Sequence, residues 1–194
     1  MSEATQLVVV VRHGETEWSA TGRHTGATDI ALTERGQRHA RATGAWLAHT
    51  TFDRVWTSPL RRARDTCALA GFGGPAEVDG DLAEWDYGDY EGLTRAEIVT
   101  RDPHWLVWTH GAPGGESPAQ VERRTDRVVS RLLAAPGRTL IFAHGHLLRA
   151  LAARWIELPV SEGRRVLLDT AAVGELGWYH GRRALARWNL TPAV

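Results

Sequence analysis

Leu7-Val8-Val9-Val10-Val11 is an unbroken apolar, mostly β-branched run that ends abruptly on Arg12-His13-Gly14. Such a run reads as a strand buried on both faces, as in a parallel sheet. The cation, imidazole and glycine behind it put polar chemistry at the strand's carboxyl end, the edge where open α/β sheets bind ligands. The pattern returns at Thr139-Leu140-Ile141-Phe142-Ala143, followed at once by His144-Gly145. Two strands of one sheet would then deliver two histidines to one edge, where both can face one anion.

The remaining polar and apolar positions predict the elements between. Residues 13–32 are rich in Gly, Thr and charge, show no clear period and read as a functional loop. Thr33 is placed to cap a helix running to about His49, with Gly36, Ala40 and Gly44 on one face for close packing. Arg54–Thr57 reads as a second strand, and Ser58-Pro59 as the N-cap and first-turn proline of a helix to about Ala70. After a glycine-rich break, Ala76–Val78 is a short third strand. Residues 81–116 form a long excursion of short helices that carries Trp85, Tyr87, Tyr90, Trp105 and Trp108. Ser117-Pro118 repeats the helix-start signal, for a helix to about Ala135 broken by Pro136-Gly137. A helix from about Leu147 to Trp155 follows the second histidine, and Val173–Tyr179 and Ala184–Trp188 read as two late strands. Strands alternating with helices argue for a layered α/β domain with a mostly parallel sheet. With no internal repeat or long linker, one domain over 1–194 is expected, with a cap-like insertion at about 81–116.

Composition narrows the chemistry. A chain of 194 residues can bury roughly 70% of its unfolded surface as one domain. Its formal net charge is zero, so no global field favours nucleic acid or an anionic membrane. All 23 basic residues are arginine, which excludes lysine Schiff bases and a Walker-type phosphate loop. Cys67 is the only cysteine; it allows no internal disulfide and no cysteine metal cluster, and its helical neighbours mark it as a buried small hydrophobe. The N-terminal apolar run is too short for a membrane span and lacks basic flanks and a cleavage site, so a soluble cytoplasmic protein is expected.

Arg61 and Arg62 fall in the first turn of a helix, where the dipole disfavours cations unless an anion sits nearby. Neighbouring side chains cannot both face it, so one of the two is read as solvated. With Arg62 inward, Arg12, Arg62, His13 and His144 make a pocket of two guanidinium forks and two imidazoles. Forks bind phosphate bidentately, and a neutral histidine nitrogen is a competent phosphoryl acceptor. No carboxylate cage for Mg²⁺ stands out, so protein cations would stabilise the transferring group. A leaving alkoxide needs a proton. Glu84 lies in an acidic, aromatic stretch whose apolar members would raise a carboxyl pKa; Asp86, Asp89 and Glu91 compete for that role, although each by itself reads as part of a solvated acidic loop. His144-Gly145-His146 invites a metal reading, but zinc needs three or four ligands and no others stand out, so neither metal nor cofactor is expected. His146 reads instead as a helix-start residue lining the pocket, its backbone N–H facing phosphate. His24 and His110 are candidate substrate contacts.

Arg12-His13-Gly14-Glu15-Thr16-Glu17-Trp18, Gly22-Arg23-His24-Thr25-Gly26, Leu32-Thr33-Glu34-Arg35-Gly36, Ser58-Pro59-Leu60-Arg61-Arg62-Ala63, Gly115-Glu116-Ser117 and Ala143-His144-Gly145 follow one another in this order. In this the chain resembles the histidine phosphatase superfamily, which contains cofactor-dependent phosphoglycerate mutases and many phosphatases, over nearly its whole length. The resemblance implies a three-layer α/β/α, phosphoglycerate mutase-like fold. It implies His13 as the nucleophile that becomes phosphohistidine, and Arg12, Arg62 and His144 as the groups that hold the phosphoryl. It places Glu84 at the acid position. Ser19 and Thr25 look like further phosphate or substrate contacts, Ser19 standing where many members have a longer Asn. His24, Gly26, Tyr87, Gly145, His146, Trp105 and Trp108 are the remaining candidate substrate-binding positions. The Trp85–His110 region looks more like the sugar-bisphosphatase and acid-phosphatase members than the mutases, and would cap the pocket. A small phosphorylated, sugar-like substrate is expected, with no nucleic acid or membrane partner, and a homodimer through exposed tryptophans is a candidate assembly. A mutase, a protein phosphatase and an inactive phosphate-binding module are the rival readings.

Overall fold

The computed structural model describes residues 6–193. Strand β1 (Gln6–Arg12) lies between β4 (Gly137–Ala143) and β5 (Val173–Tyr179), with β2 (Arg54–Thr57) and the two-residue β3 (Glu77–Val78) beyond β4, and β6 (Arg182–Leu190) at the opposite edge. The pairings β1–β4, β4–β2 and β2–β3 are parallel, whereas the late hairpin β5–β6 runs antiparallel to β1. The sheet is thus mostly parallel, as the alternation of strands and helices predicts.

The valine run has no polar alternation because β1 has no wet face. Val8 and Val10 pack under α6 (Pro118–Ala134) and α7 (Gly145–Trp155), with Leu132, Leu151 and Trp155. Val9 and Val11 pack on the other side with Leu47 of α2 (Glu34–Leu47) and Cys67 of α3 (Arg61–Leu69). Burying each valine side chain is worth about 1.5–3 kcal/mol over leaving it in water, so helices on both faces are what make this strand stable. The small face of α2 serves a close approach: a Cβ on Gly14 would lie 2.5 Å from the carbonyl oxygen of Gly36, so the loop after β1 can rest directly on the helix backbone. Burial pushes the Cys67 thiol up to about 12, as suits a packing residue.

Register sets the position of the chemistry. Arg12 pairs with Ala143 and Thr57 with Phe142. The ends of three parallel strands therefore bring His13, Ser58 and His144 to one edge.

Several boundaries differ from the sequence expectations. The functional loop contains a short helix, α1 (Glu17–Ala20), held by reciprocal Thr16–Ser19 capping. Ser58 does not cap a helix: its N–H still donates to Phe142 as an extension of β2, and α3 starts at Arg61 with Leu60 in the N-cap position. Helix α7 begins two residues before the expected Leu147, with His144 as its N-cap. A 3-10 helix at Val160–Arg165, without a hydrophobic period to announce it, packs against α7. The excursion holds 3-10 turns at Gly80–Leu82 and Gly88–Tyr90, then α4 (Arg95–Val99) and α5 (Val107–His110). Its aromatic residues form their own core with Val121 of α6 and Ala150 of α7. Trp46 alone among the tryptophans is exposed. Among the described residues, no helix is long and apolar enough to cross a membrane.

Candidate active site

His13 follows β1 and donates its backbone N–H to Ala143 at 2.9 Å, which sets the His13 and His144 rings 5.2 Å apart, centroid to centroid. Nδ1 of His13 is 2.7 Å from the carbonyl oxygen of Gly14. A carbonyl only accepts, so Nδ1 carries the proton and Nε2 keeps its lone pair. Burial, reinforced by Arg12 and Arg62, holds His13 neutral well below the usual histidine range. The Gly14 N–H is in turn anchored by Thr66 Oγ1 of α3 at 2.9 Å.

The cations are held by carbonyls, not by carboxylates. Arg12 donates Nη1 to Leu168 at 2.6 Å, and its guanidinium lies against Gly145, where a Cβ would stand 3.2 Å from Cζ. Arg62 is fully buried; Nη1 donates to Thr28, and Nη2 to Thr25 and Gly26, all at 2.9 Å. Desolvation lowers the pKa of both guanidiniums, with Glu84 opposing it. His144, also fully buried, places Nε2 2.7 Å from Ser58 Oγ; burial and then Arg62 hold it neutral, well below the usual histidine range. Arg12 Nε, Arg62 Nε and His144 Nδ1 are buried without a partner among the described residues. Three unpartnered nitrogens beside a free imidazole lone pair are costly in a protein interior. An oxyanion would satisfy them.

Glu84 comes from the excursion and is clamped at the start of α7. Its carboxylate accepts N–H groups from Trp85 at 2.9 Å, Leu147 at 2.9 Å and His146 at 3.1 Å. This corrects two expectations. The immediate partners of the carboxylate are backbone donors, where apolar neighbours were expected. The His146 N–H, expected to face phosphate, is taken up by Glu84. A helix N-terminus presents free N–H donors, and here the Glu84 side chain takes them up. Arg124 of α6 secures the segment: it pairs with Glu116 at 2.7 Å and donates to the carbonyls of Asp81 at 2.9 Å and Ala83 at 2.6 Å.

A cavity of about 190 Å³ opens over Arg12, His13 and Glu84, while the fully buried Arg62 and His144 are not in its lining. Arg12, His13, Ser19, His24, Thr25 and Glu84 line it, and Tyr87, Gly145 and His146 complete the part that sequence reasoning anticipated. Ser19 stands at its edge with its hydroxyl already engaged by Thr16. Tyr87 Oη and His146 Nδ1 are 2.7 Å apart. Burial raises the Tyr87 pKa well above the usual phenol range and lowers that of His146 well below the usual histidine range. His24 hands its Nδ1 proton to the Leu93 carbonyl at 2.9 Å, and burial lowers its pKa too.

Four anticipated contacts are not in the cavity wall. Trp105 and Trp108 stand behind it, their rings 5.1 Å from His24 and His146 respectively; they are large apolar surfaces that the cap core buries. Gly26 is also behind it, its N–H on the Glu91 carboxylate and its carbonyl on Arg62. His110 is on the surface, turned back on its own short helix. Glu91 is not the solvated acid its neighbours suggest: it binds the N–H groups of Gly26 and Thr28 and shapes the loop that holds Arg62. Arg23 and Arg149 line the cavity unanticipated. Arg23 sits in a motif that could have flagged it. Arg149 had no signal, because a lone arginine on an apolar helix reads as solvated; here it lies over the Trp108 ring at 4.8 Å. Arg61 is exposed and paired with Asp65. Among the described residues no three His, Cys, Asp or Glu side chains gather as a metal cluster.

The family model described as "Histidine phosphatase superfamily (branch 1)" matches residues 8–191. An acid phosphatase from Mycobacterium tuberculosis is 48% identical over 188 residues, covering 95% of this chain and 92% of its own. A sedoheptulose 1,7-bisphosphatase from Saccharomyces cerevisiae is 34% identical over 194 residues, covering 84% and 72%. The solved structure of an open reading frame product from Mycobacterium tuberculosis superposes with a TM-score of 0.92 at 46% identity, covering 97% of this chain and 99% of that one.

Proposed function

The chain belongs to the histidine phosphatase superfamily, and from that premise we propose that it is a metal-independent phosphomonoesterase, working in the cytoplasm on a small sugar phosphate or bisphosphate through a phosphohistidine. One observation carries the reading: the neutral, lone-pair Nε2 of His13 is accompanied by three buried, unpartnered nitrogens on Arg12, Arg62 and His144. Nε2 attacks phosphorus and forms the P–N bond as the ester P–O bond breaks. The departing oxygen takes its proton from Glu84, whose carboxylate then removes a proton from water. That water attacks phosphorus, breaks the P–N bond and releases inorganic phosphate, with His13 neutral and Glu84 protonated again. The guanidinium forks and His144 take up charge on the equatorial oxygens throughout.

The cavity supports a small substrate. Its lining also includes His24, His146 and Tyr87, whose ring nitrogens and hydroxyl suit hydroxyl partners rather than another phosphoryl transfer. Arg23 and Arg149, also in the lining, suit a second anionic group. The test is phosphate release from sugar phosphates, sugar bisphosphates, phosphoglycerates and p-nitrophenyl phosphate with EDTA present, beside His13→Ala. Release from a sugar ester by the wild type alone is expected. Isomerisation of phosphoglycerate without release would make the protein a mutase, and loss of activity with EDTA that zinc restores would overturn metal independence.

A further inference from the structure

Ser58 reads in sequence as a helix cap, yet it caps nothing. It stands one residue past β2, fully buried, with its Oγ 2.7 Å from Nε2 of His144 and 3.2 Å from the backbone N of Leu60. We infer that Ser58 is a positioning residue that donates its hydroxyl proton to Nε2 of His144, holding His144 in the Nδ1–H tautomer with that N–H aimed at the phosphoryl oxygens.

The argument is proton counting in a closed site. A serine hydroxyl has one proton and two lone pairs. The Leu60 N–H can only donate, so it occupies a lone pair. Among the described residues the remaining partner of Oγ is His144 Nε2, and Ser58 has no water-facing side. If Nε2 bore the imidazole proton, the hydroxyl proton would have no acceptor. Nδ1 would then turn a lone pair toward an anion. With the hydroxyl donating to Nε2, both protons are placed: the hydroxyl proton stays on Ser58 Oγ and points at the Nε2 lone pair, and the imidazole proton sits on Nδ1, free for a phosphoryl oxygen. That Nδ1 is buried and unpartnered in the protein itself. The two adjacent histidines thus share one tautomer and use opposite ends of it. His13 is set by an acceptor at Nδ1, the Gly14 carbonyl, and offers the lone pair of Nε2. His144 is set by a donor at Nε2 and offers N–H. A group that fixes the tautomer of a working histidine is commonly as necessary as the histidine's own placement.

The inference rests on the phosphoryl-transfer reading for its consequence, but its first readout does not. Nitrogen-15 NMR of histidine-labelled protein, with and without vanadate, reads the tautomer directly, the His144 resonances being assigned by their loss in His144→Asn. The wild type is expected to show Nδ1–H. Ser58→Ala is expected to move His144 to Nε2–H or a mixture and to lower kcat by roughly 10–100-fold, with a smaller change in KM, and Ser58→Thr to restore both. A purely structural role would alter the melting temperature of Ser58→Ala and leave the tautomer as it was. An Nε2–H tautomer in the wild type overturns the inference, as does Ser58→Ala with tautomer and kcat unchanged. If Ser58→Ala fails to fold, the wild-type and Ser58→Thr spectra decide. A protein with the Nδ1–H tautomer but no activity on any phosphate ester would sink the functional reading and leave the contact standing.

Discussion

Acid should destabilise this protein more steeply than its carboxylates alone explain, because the site buries neutral histidines. His13 is 4% exposed and His144 is fully buried, and burial with neighbouring arginines holds both far below 6.5. In the unfolded chain each returns to about 6.5. Below that value, and above the folded one, the unfolded chain binds protons that the folded chain refuses. Stability therefore rises with pH across the window and is lost as pH falls through the unfolded value. Each group contributes a slope of about 1.4 kcal/mol per pH unit, so the pair approaches 3 kcal/mol per unit. Against a typical domain stability of about 5–15 kcal/mol, a single unit of acidification is a large perturbation. The measurement is urea unfolding at constant ionic strength between about pH 5 and pH 8, in buffers free of phosphate, since an anion bound to the folded state adds its own stabilisation. His144→Asn should flatten the slope by about 1.4 kcal/mol per unit. An unchanged slope in that variant would refute the claim that His144 is neutral in the fold.

The same neutrality keeps His13 nucleophilic in acid, so kcat/KM measured in brief assays should hold as pH drops through 6.5; an acid limb centred on the ordinary histidine value would contradict the site's electrostatics. Glu91→Gln should lower kcat about 10-fold without unfolding the protein, because it weakens the charge-assisted bonds that shape the 25–28 loop under Arg62; full activity would show that loop to be self-supporting. Trp108→Ala should cost about 3–5 kcal/mol in chemical denaturation, since the ring is buried under Arg149 and beside Trp85 and His146. A loss under 1 kcal/mol would mean the cap core is loosely packed. Arg12→Lys should lower kcat/KM despite the retained charge, because an ammonium cannot reach Leu168 and a phosphoryl oxygen together; activity equal to wild type would argue against a bidentate role.

Much of this was legible in the chain because it depends on neighbours in sequence. A five-residue apolar run can only be stable when covered on both sides, so Leu7–Val11 announced a central strand, and the polar residues directly behind it announced the working edge. Thr33 and Ser117 cap their helices as read, because a cap is satisfied within its own turn. Ser58 shows the limit of that logic. The local pattern is the same Ser-Pro, yet the hydroxyl faces His144, 86 residues away, and a long-range partner overrides the cap. Glu91 and the tryptophans at 105 and 108 show the same limit: whether an acid is solvated, or an aromatic faces a cavity or a core, depends on what packs opposite it.

The sequence by itself determined the α/β architecture, the order of its main elements and the family, and it singled out His13, Arg12, Arg62, His144 and Glu84 as the residues of the proposed site, since covalent adjacency to strand ends and the family motifs carry that information. Only the tertiary structure decided which tautomer His13 holds, that the arginines are cradled by carbonyls, that Glu84 is bound by backbone donors at the start of α7, and that Arg23 and Arg149 reach the cavity. Apart from the Gly14 carbonyl beside His13, these are set by distance and direction between groups far apart in the chain, which sheet register, helix packing and loop contacts together bring into range.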